Sequence, residues 1–259
     1  KGTSVSHNTT NFVWQEKVAE CLDNYNYMPK PRGMEVREII SGSYKVPMPA
    51  YIDLKDRKIN LSFMFAEAAW IISGSNRLNE ITPHMKVYSR FSDDGVFLNG
   101  AYGPKIIDQL PYIAKCLIED NDSRQAVLNI WRERPGSSKD IPCTTQMQFL
   151  IRDGKLNLVT TMRSQDIVLG FTYDVFTFSM VAKSVQLILK TLGLEVGLGD
   201  LFVNIGSLHI YETHYKDAEK WINTDKQENR ISKAVERLNE CETYHELIEE
   251  LQYEAKRAK

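Results

Sequence analysis

Apolar positions recur at helical spacing near the start of the chain. Over Asn11–Asn26, Phe12, Val13, Val18, Ala19 and Leu22 can share one face, which predicts an amphipathic helix. Two prolines and a glycine within Tyr27–Gly33 predict a loop, and Arg37–Val46 reads as a strand. Ser62–Ser73 is almost wholly apolar, so it predicts a buried helix ended by Gly74, with Glu67 in its middle. Tyr88–Gly103 mixes aromatics with turn residues and predicts an irregular excursion before a helix over Ile106–Glu119. A strand over Ala126–Arg132 and a loop over Arg134–Ile141 follow. Asp153-Gly154 between Thr145–Arg152 and Leu156–Met162 is a strong hairpin signal. Phe176–Leu192 predicts a long helix capped by Gly193, and Leu201–Tyr211 a strand. The last segment, Ile231–Lys259, is charged and helical in pattern. Helices mixed with a hairpin-bearing sheet predict one α+β domain over residues 1–259, with a core about 33–215 and a helical region about 231–259.

Composition narrows the field. The chain has 259 residues, 42% hydrophobic and 25% charged, enough for a sizeable core. Its net charge of −2 gives no basic field for nucleic acid, so an anionic ligand would need local arginines. The longest apolar run, near Leu61–Ser73, is too short to span a bilayer. Lys1–Thr10 lacks the apolar core of a signal peptide. Cys21, Cys116, Cys143 and Cys241 stand far apart without a CxxC pair, so neither a metal site nor a disulfide framework is expected, and the expected compartment is the reducing cytoplasm.

Several residues could carry chemistry. Cys143 lies between Pro142 and two threonines, at a loop–strand junction. It can be a small core hydrophobe, or a nucleophile whose thiolate is favoured by a nearby cation such as Arg163. Arg163-Ser164-Gln165-Asp166 reads as a polar turn after a strand, or as an anion site in which Arg163 forks onto a phosphate beside the Ser164 hydroxyl. Asp122-Ser123-Arg124 is a turn that also offers a second arginine. Glu67 either finds a partner or, if buried, has a raised pKa and can move protons. His209 and Tyr211, two apart on a strand, point to one face and either pack together or bind sugar hydroxyls.

Pro142-Cys143, then Arg163-Ser164-Gln165-Asp166, then Gly170 and Asp174, then His209-Ile210-Tyr211, resemble in order the thymidylate synthase family, and within it the phage-type deoxycytidylate hydroxymethylases. The resemblance implies an α+β fold whose large mixed sheet packs against that of a twin subunit in an obligate homodimer. It implies that Cys143 adds to C6 of a pyrimidine nucleoside monophosphate and that Arg163 and Ser164 hold its phosphate. Arg32 would lie on a phosphate-gripping loop, and Arg124 would come from the partner. Here Gln125 replaces the second arginine of the family's Asp-Ser-Arg-Arg motif. Glu67 would order water and assist proton transfer, while His209 and Tyr211 would bind the sugar. Asp166 would bond the pyrimidine and, with Tyr88, Tyr102 and Gly170, border the co-substrate 5,10-methylenetetrahydrofolate.

The departures from the family sharpen this expectation. Asp174 stands where synthases usually have asparagine. A carboxylate accepts from the cytosine amine and, protonated, donates to N3, whereas an ionised one would face O4 of uracil without a donor. That implies dCMP. Tyr88 replaces a tryptophan, Thr144 a histidine, and Glu254–Lys259 lacks the apolar tail that closes the synthase site. The product expected is 5-hydroxymethyl-dCMP, with water as final acceptor. The alternatives are C5 methylation of dCMP or dUMP with release of dihydrofolate, hydroxymethylation of CMP, and a catalytically silent nucleotide- or RNA-binding relative.

Overall fold

Residues 8–259 are described by a computed structural model, and the first seven residues of the polar stretch Lys1–Thr10 lie outside them. The first helix, α1 (Thr9–Asp23), starts where the Asn8 side chain accepts the Thr10 amide. Its buried face keeps Val18 and Leu22 of the predicted one but is completed by Trp14 and Cys21, and Phe12 is 54% exposed. Trp14 sets that phase: its indole N–H donates to the Ile167 carbonyl at 2.6 Å, which anchors the widest side chain inward.

Strand β1 (Val36–Pro47) leads to α2 (Leu61–Ile72), the all-apolar helix. Asn60 caps its start by accepting from the Phe63 amide, and Gly74, at φ +82, turns the chain away after its end. A short α3 (Leu78–Ile81) and the irregular stretch follow, then α4 (Gly103–Glu119). Next come β2 (Val127–Asn129), shorter than predicted, and the hairpin β3 (Thr144–Arg152) and β4 (Lys155–Asp166). Asp153 and Gly154 both take positive φ, as a tight hairpin turn demands. Helix α5 (Leu169–Thr191) crosses over to β5 (Gly197–Tyr211). Three helices end the chain: α6 (Tyr215–Trp221), α7 (Ser232–Glu240) and α8 (Tyr244–Arg257).

Two boundaries correct the sequence reading. Arg163-Ser164-Gln165-Asp166 is not a turn after a strand but the last residues of β4. Helix α5 begins seven residues before Phe176, because the Asp166 carboxylate accepts the Val168 and Leu169 amides and so starts the helix directly off the strand. The charged last segment is amphipathic: α8 buries Leu247, Leu251 and Ala255 and packs on α2, where Ser62 donates to the Ala255 carbonyl at 2.9 Å.

The five strands form one mixed sheet in the order β1-β5-β4-β3-β2, parallel only between β4 and β5. One face is buried under the helices. The other carries a row of exposed or half-buried side chains, Lys45, Phe202, Val159, Gln148 and Val127, aligned by strand register.

The inward-facing positions slip by one residue at a single level of the sheet. On β4 they run Leu156, Leu158, Thr160, Met162 and then Gln165. On β5 they run Leu201, Val203, Ile205 and then Leu208, and on β1 Val46, Tyr44, Gly42 and then Ile39. The residues at the slip, Ser41, Gly206 and Arg163, are neighbours across the strands. Ser41 takes φ +61, and a Cβ on Gly206 would stand 2.8 Å from the Arg163 carbonyl oxygen. Beyond this level each strand presents the opposite alternation to the helices.

Candidate active site

Cys143 is held at the start of β3 by a lattice of bonds. The Arg163 amide donates to the Cys143 carbonyl at 2.8 Å. The Arg163 guanidinium donates from Nε to the Pro142 carbonyl at 2.9 Å and from Nη2 to that of Ile141 at 3.1 Å, and the same Nη2 lies 3.8 Å from the Cys143 Sγ. On the other side the Thr144 amide donates to the Tyr102 hydroxyl at 3.1 Å. These bonds place a thiol beside a cation with little freedom for either.

Burial pushes the Cys143 thiol above its ordinary value. Arg163 pulls it down, the nearby Asp174 carboxyl pushes it up, and a hydrogen bond from Ser164 lowers it. The expected activation by Arg163 is therefore outweighed, because a thiolate loses more hydration on burial than one guanidinium returns.

Two carboxyls face the same pocket, a hollow of about 160 Å³ lined by Glu67, Trp70, Tyr88, Tyr102, Cys143 and Asp174 among others. Glu67, on the buried α2, accepts a hydrogen bond from the Tyr88 hydroxyl. Burial raises its pKa to about 7, with the Tyr88 bond opposing. Tyr88 is wedged among Phe63, Trp70 and Phe91. Asp174, on the second turn of α5, accepts from Gln165 Nε2 at 2.9 Å. Burial raises its pKa to about 8, Gln165 opposes, and Glu67 and Asp166 add to the rise. Near neutral pH this pocket thus holds a carboxyl that keeps its proton and another poised to exchange one.

The remaining predicted residues fall into two groups. Ser164 and Asp166 pair in register with Ser207 and His209, so the ends of β4 and β5 bring Ser164, Asp166 and His209 together. His209 is buried and Tyr211 meets it edge-on at 5.2 Å. Gly170 lies on the first turn of α5, where a Cβ would come 3.2 Å from Gln165 Cγ and 3.4 Å from Asp174 Oδ2. None of Ser164, Asp166, Gly170, His209 and Tyr211 lines the pocket itself, and neither does Arg32 or Arg124. Arg32 is exposed in the loop before β1, with φ 52, and that loop leads into Val36, which pairs with Tyr211. Arg124 is exposed in the turn before β2, its carbonyl accepting from Gln148, about 16 Å along β3 from Cys143 at the usual strand rise.

The residue pattern missed Gln165 and Tyr44, whose hydroxyl donates to Gln165 Oε1 at 2.8 Å, as well as the pocket-lining Thr177 and the Tyr88–Glu67 bond. A glutamine inside an Arg-Ser-x-Asp run was the one available signal. Among the described residues no cluster of three or more His, Cys, Asp or Glu is placed to hold a metal, and no helix is long and apolar enough to cross a membrane.

A half-buried thiol beside an arginine, facing two carboxyls of raised pKa at the end of a mixed sheet, is a setting suited to nucleophilic chemistry on a polar ligand. The chain belongs to the thymidylate synthase family, whose profile matches residues 14–256. It is similar to the deoxyuridylate hydroxymethyltransferase of Bacillus phage SP01, 32% identical over 207 residues, covering 71% of this chain and 53% of the relative. The deoxyuridylate hydroxymethyltransferase of Pseudomonas phage M6 is 30% identical over 171 residues, covering 62% and 48%. The chain spans about half the length of these curated relatives.

Proposed function

We propose that the chain transfers a one-carbon unit to C5 of a pyrimidine deoxynucleoside monophosphate, dCMP, and leaves it as a hydroxymethyl group. The observation that carries this reading is the meeting of the Cys143 thiol, with Arg163 beside it, and the raised carboxyls of Glu67 and Asp174 in one pocket. 5,10-Methylenetetrahydrofolate supplies the carbon as a co-substrate, bordered by Tyr88, Tyr102, Asp166 and Gly170.

Arg163 and Ser164 bind the phosphate, with Arg32 closing from its loop and Arg124 reaching in from a second copy. That second copy docks on the open sheet face, on whose rim Arg124 stands. His209 and Tyr211 hold the sugar. Cys143 gives its proton to water, Arg163 holds the resulting thiolate while it also grips the phosphate, and the sulfur adds to C6. Asp174, neutral by burial, gives a hydrogen bond to N3 and stabilises the charge that addition drives into the ring. C5 then takes the carbon and loses its proton, and release of tetrahydrofolate leaves an exocyclic methylene on the base. Glu67 and Tyr88 orient water, whose oxygen joins the methylene while its proton passes to Glu67. Cys143 leaves and restores the ring.

The names of the two phage relatives favour a second reading, in which the base is uracil. The raised pKa of Asp174 makes this chemically sound: a neutral carboxyl offers one donor and one acceptor, so it can meet O4 and N3–H of uracil as well as N3 and the amine of cytosine. Incubation of the protein with methylenetetrahydrofolate and either dCMP or dUMP, read by mass, tests both. A gain of one CH₂O on dCMP is the expected result. Gain on dUMP alone replaces the base, and stoichiometric dihydrofolate absorbance with a methyl product overturns the hydroxymethyl reading.

A further inference from the structure

Asp174 is not left to choose where its proton sits. Gln165 is 2% exposed and spans the space between β1 and α5. Its Oε1 accepts from the Tyr44 hydroxyl at 2.8 Å, and its Nε2 donates to Asp174 Oδ2 at 2.9 Å. Tyr44 is itself clamped, buried on β1 with its ring 4.6 Å from that of Phe171. The backbone of Gly170 closes over the Gln165–Asp174 bond, within reach of both side chains.

A carboxyl oxygen that accepts an amide N–H is favoured as the carbonyl oxygen, so the acidic hydrogen goes to the other. We propose that Gln165, oriented by Tyr44, is a positioning residue that fixes the Asp174 proton on Oδ1 and thereby sets which pyrimidine edge the site accepts. This rests on the nucleotide-binding part of the function proposed above. One fixed donor beside one fixed acceptor matches cytosine in one placement of the ring and uracil in the other, but not both in the same placement. An unrestrained neutral carboxyl moves its hydrogen to suit either base. The direction of the relay matters as well. Without Tyr44 the amide can turn over, Oε1 then accepts from an Oδ2 hydroxyl, and the donor and acceptor offered to the base exchange.

The test measures dissociation constants of dCMP and dUMP by calorimetry, without folate, for the wild type, Gln165→Leu and Tyr44→Phe. Carbon-13 carboxyl titration of Asp174 in each variant supplies a readout independent of any nucleotide. The wild type is expected to discriminate between the two bases, and Gln165→Leu to bring their ratio at least about tenfold closer to unity, the scale of one mispaired buried polar contact. The Asp174 midpoint is expected to rise in Gln165→Leu, because the lost amide hydrogen bond favours the carboxylate. Tyr44→Phe is expected to move the ratio in the same direction or past unity. A ratio unchanged in both variants, or affinity for both nucleotides falling equally, overturns the assignment, as does a wild type that binds the two bases equally or binds neither. Failure of the function itself appears separately, as nucleotide binding with base discrimination but no product when folate is added.

Discussion

Glu67 makes the stability of this protein fall as pH rises, and removing its charge should remove a calculable share of that fall. Its ordinary value of 4.5 describes the unfolded chain, and burial lifts it to about 7 in the fold. Between these values the folded state holds a proton that the unfolded state has released. Stability is therefore complete below the lower value and is lost as pH climbs through the upper one. At about 1.4 kcal/mol per unit, the gap corresponds to roughly 3 kcal/mol by about pH 8. Glu67 is 8% exposed, so solvent screening takes little from this figure. Glu67→Gln keeps an oxygen to accept from the Tyr88 hydroxyl while abolishing the charge. Urea unfolding of both proteins from about pH 5 to about pH 8 should show the wild type losing on the order of 3 kcal/mol more than the variant. The variant keeps a residual slope from Asp174, raised from 3.8 to about 8 with the same sign. Stability curves that run parallel, within about 0.5 kcal/mol, would refute the burial argument, because Glu67 would then ionise as freely in the fold as outside it.

Three further outcomes follow from the same contacts. Tyr88→Phe deletes a hydrogen bond to a carboxylate worth about 1.5–3 kcal/mol, so the Glu67 midpoint, followed by carboxyl NMR, should rise by roughly one to two units. Arg163→Lys loses the fork that spans the Pro142 and Ile141 carbonyls and the thiol, so alkylation of Cys143 by iodoacetamide at mildly alkaline pH should slow roughly three- to tenfold. An unchanged rate would mean that the guanidinium does not act on the sulfur. Gly206→Ala drives a methyl to 2.8 Å from the Arg163 carbonyl oxygen, a backbone atom with little room to yield, and should cost about 1–3 kcal/mol in urea unfolding while also slowing that alkylation.

The features legible in the sequence are those whose causes are local. Asp153-Gly154 declares its hairpin because only a few residue types tolerate positive φ at both positions. The apolar run of α2 declares its burial, and Cys143, Glu67, Arg163 and Asp174 declare themselves as residue types at telling spacings. The start of α5 was hidden because Gly170, Thr172 and Asp174 interrupt the apolar stripe by which a helix is read. The Tyr88–Glu67 bond was hidden because it joins residues 21 apart from two different elements.

Gln165 was hidden for a more instructive reason. Two-residue alternation from Leu156, Leu158, Thr160 and Met162 assigns the inward face to Ser164 and the open face to Gln165. The slip at Ser41, Gly206 and Arg163 reverses that assignment. It sends Gln165 inward to Tyr44 and Asp174, and leaves Ser164 half-exposed beside Cys143. A regular strand would have turned the amide away from the one carboxyl it orients. The distortion that defeats the periodic reading is thus the same distortion that assembles the site. Its cost falls on a left-handed serine and a glycine packed against a carbonyl, neither of which touches the pocket.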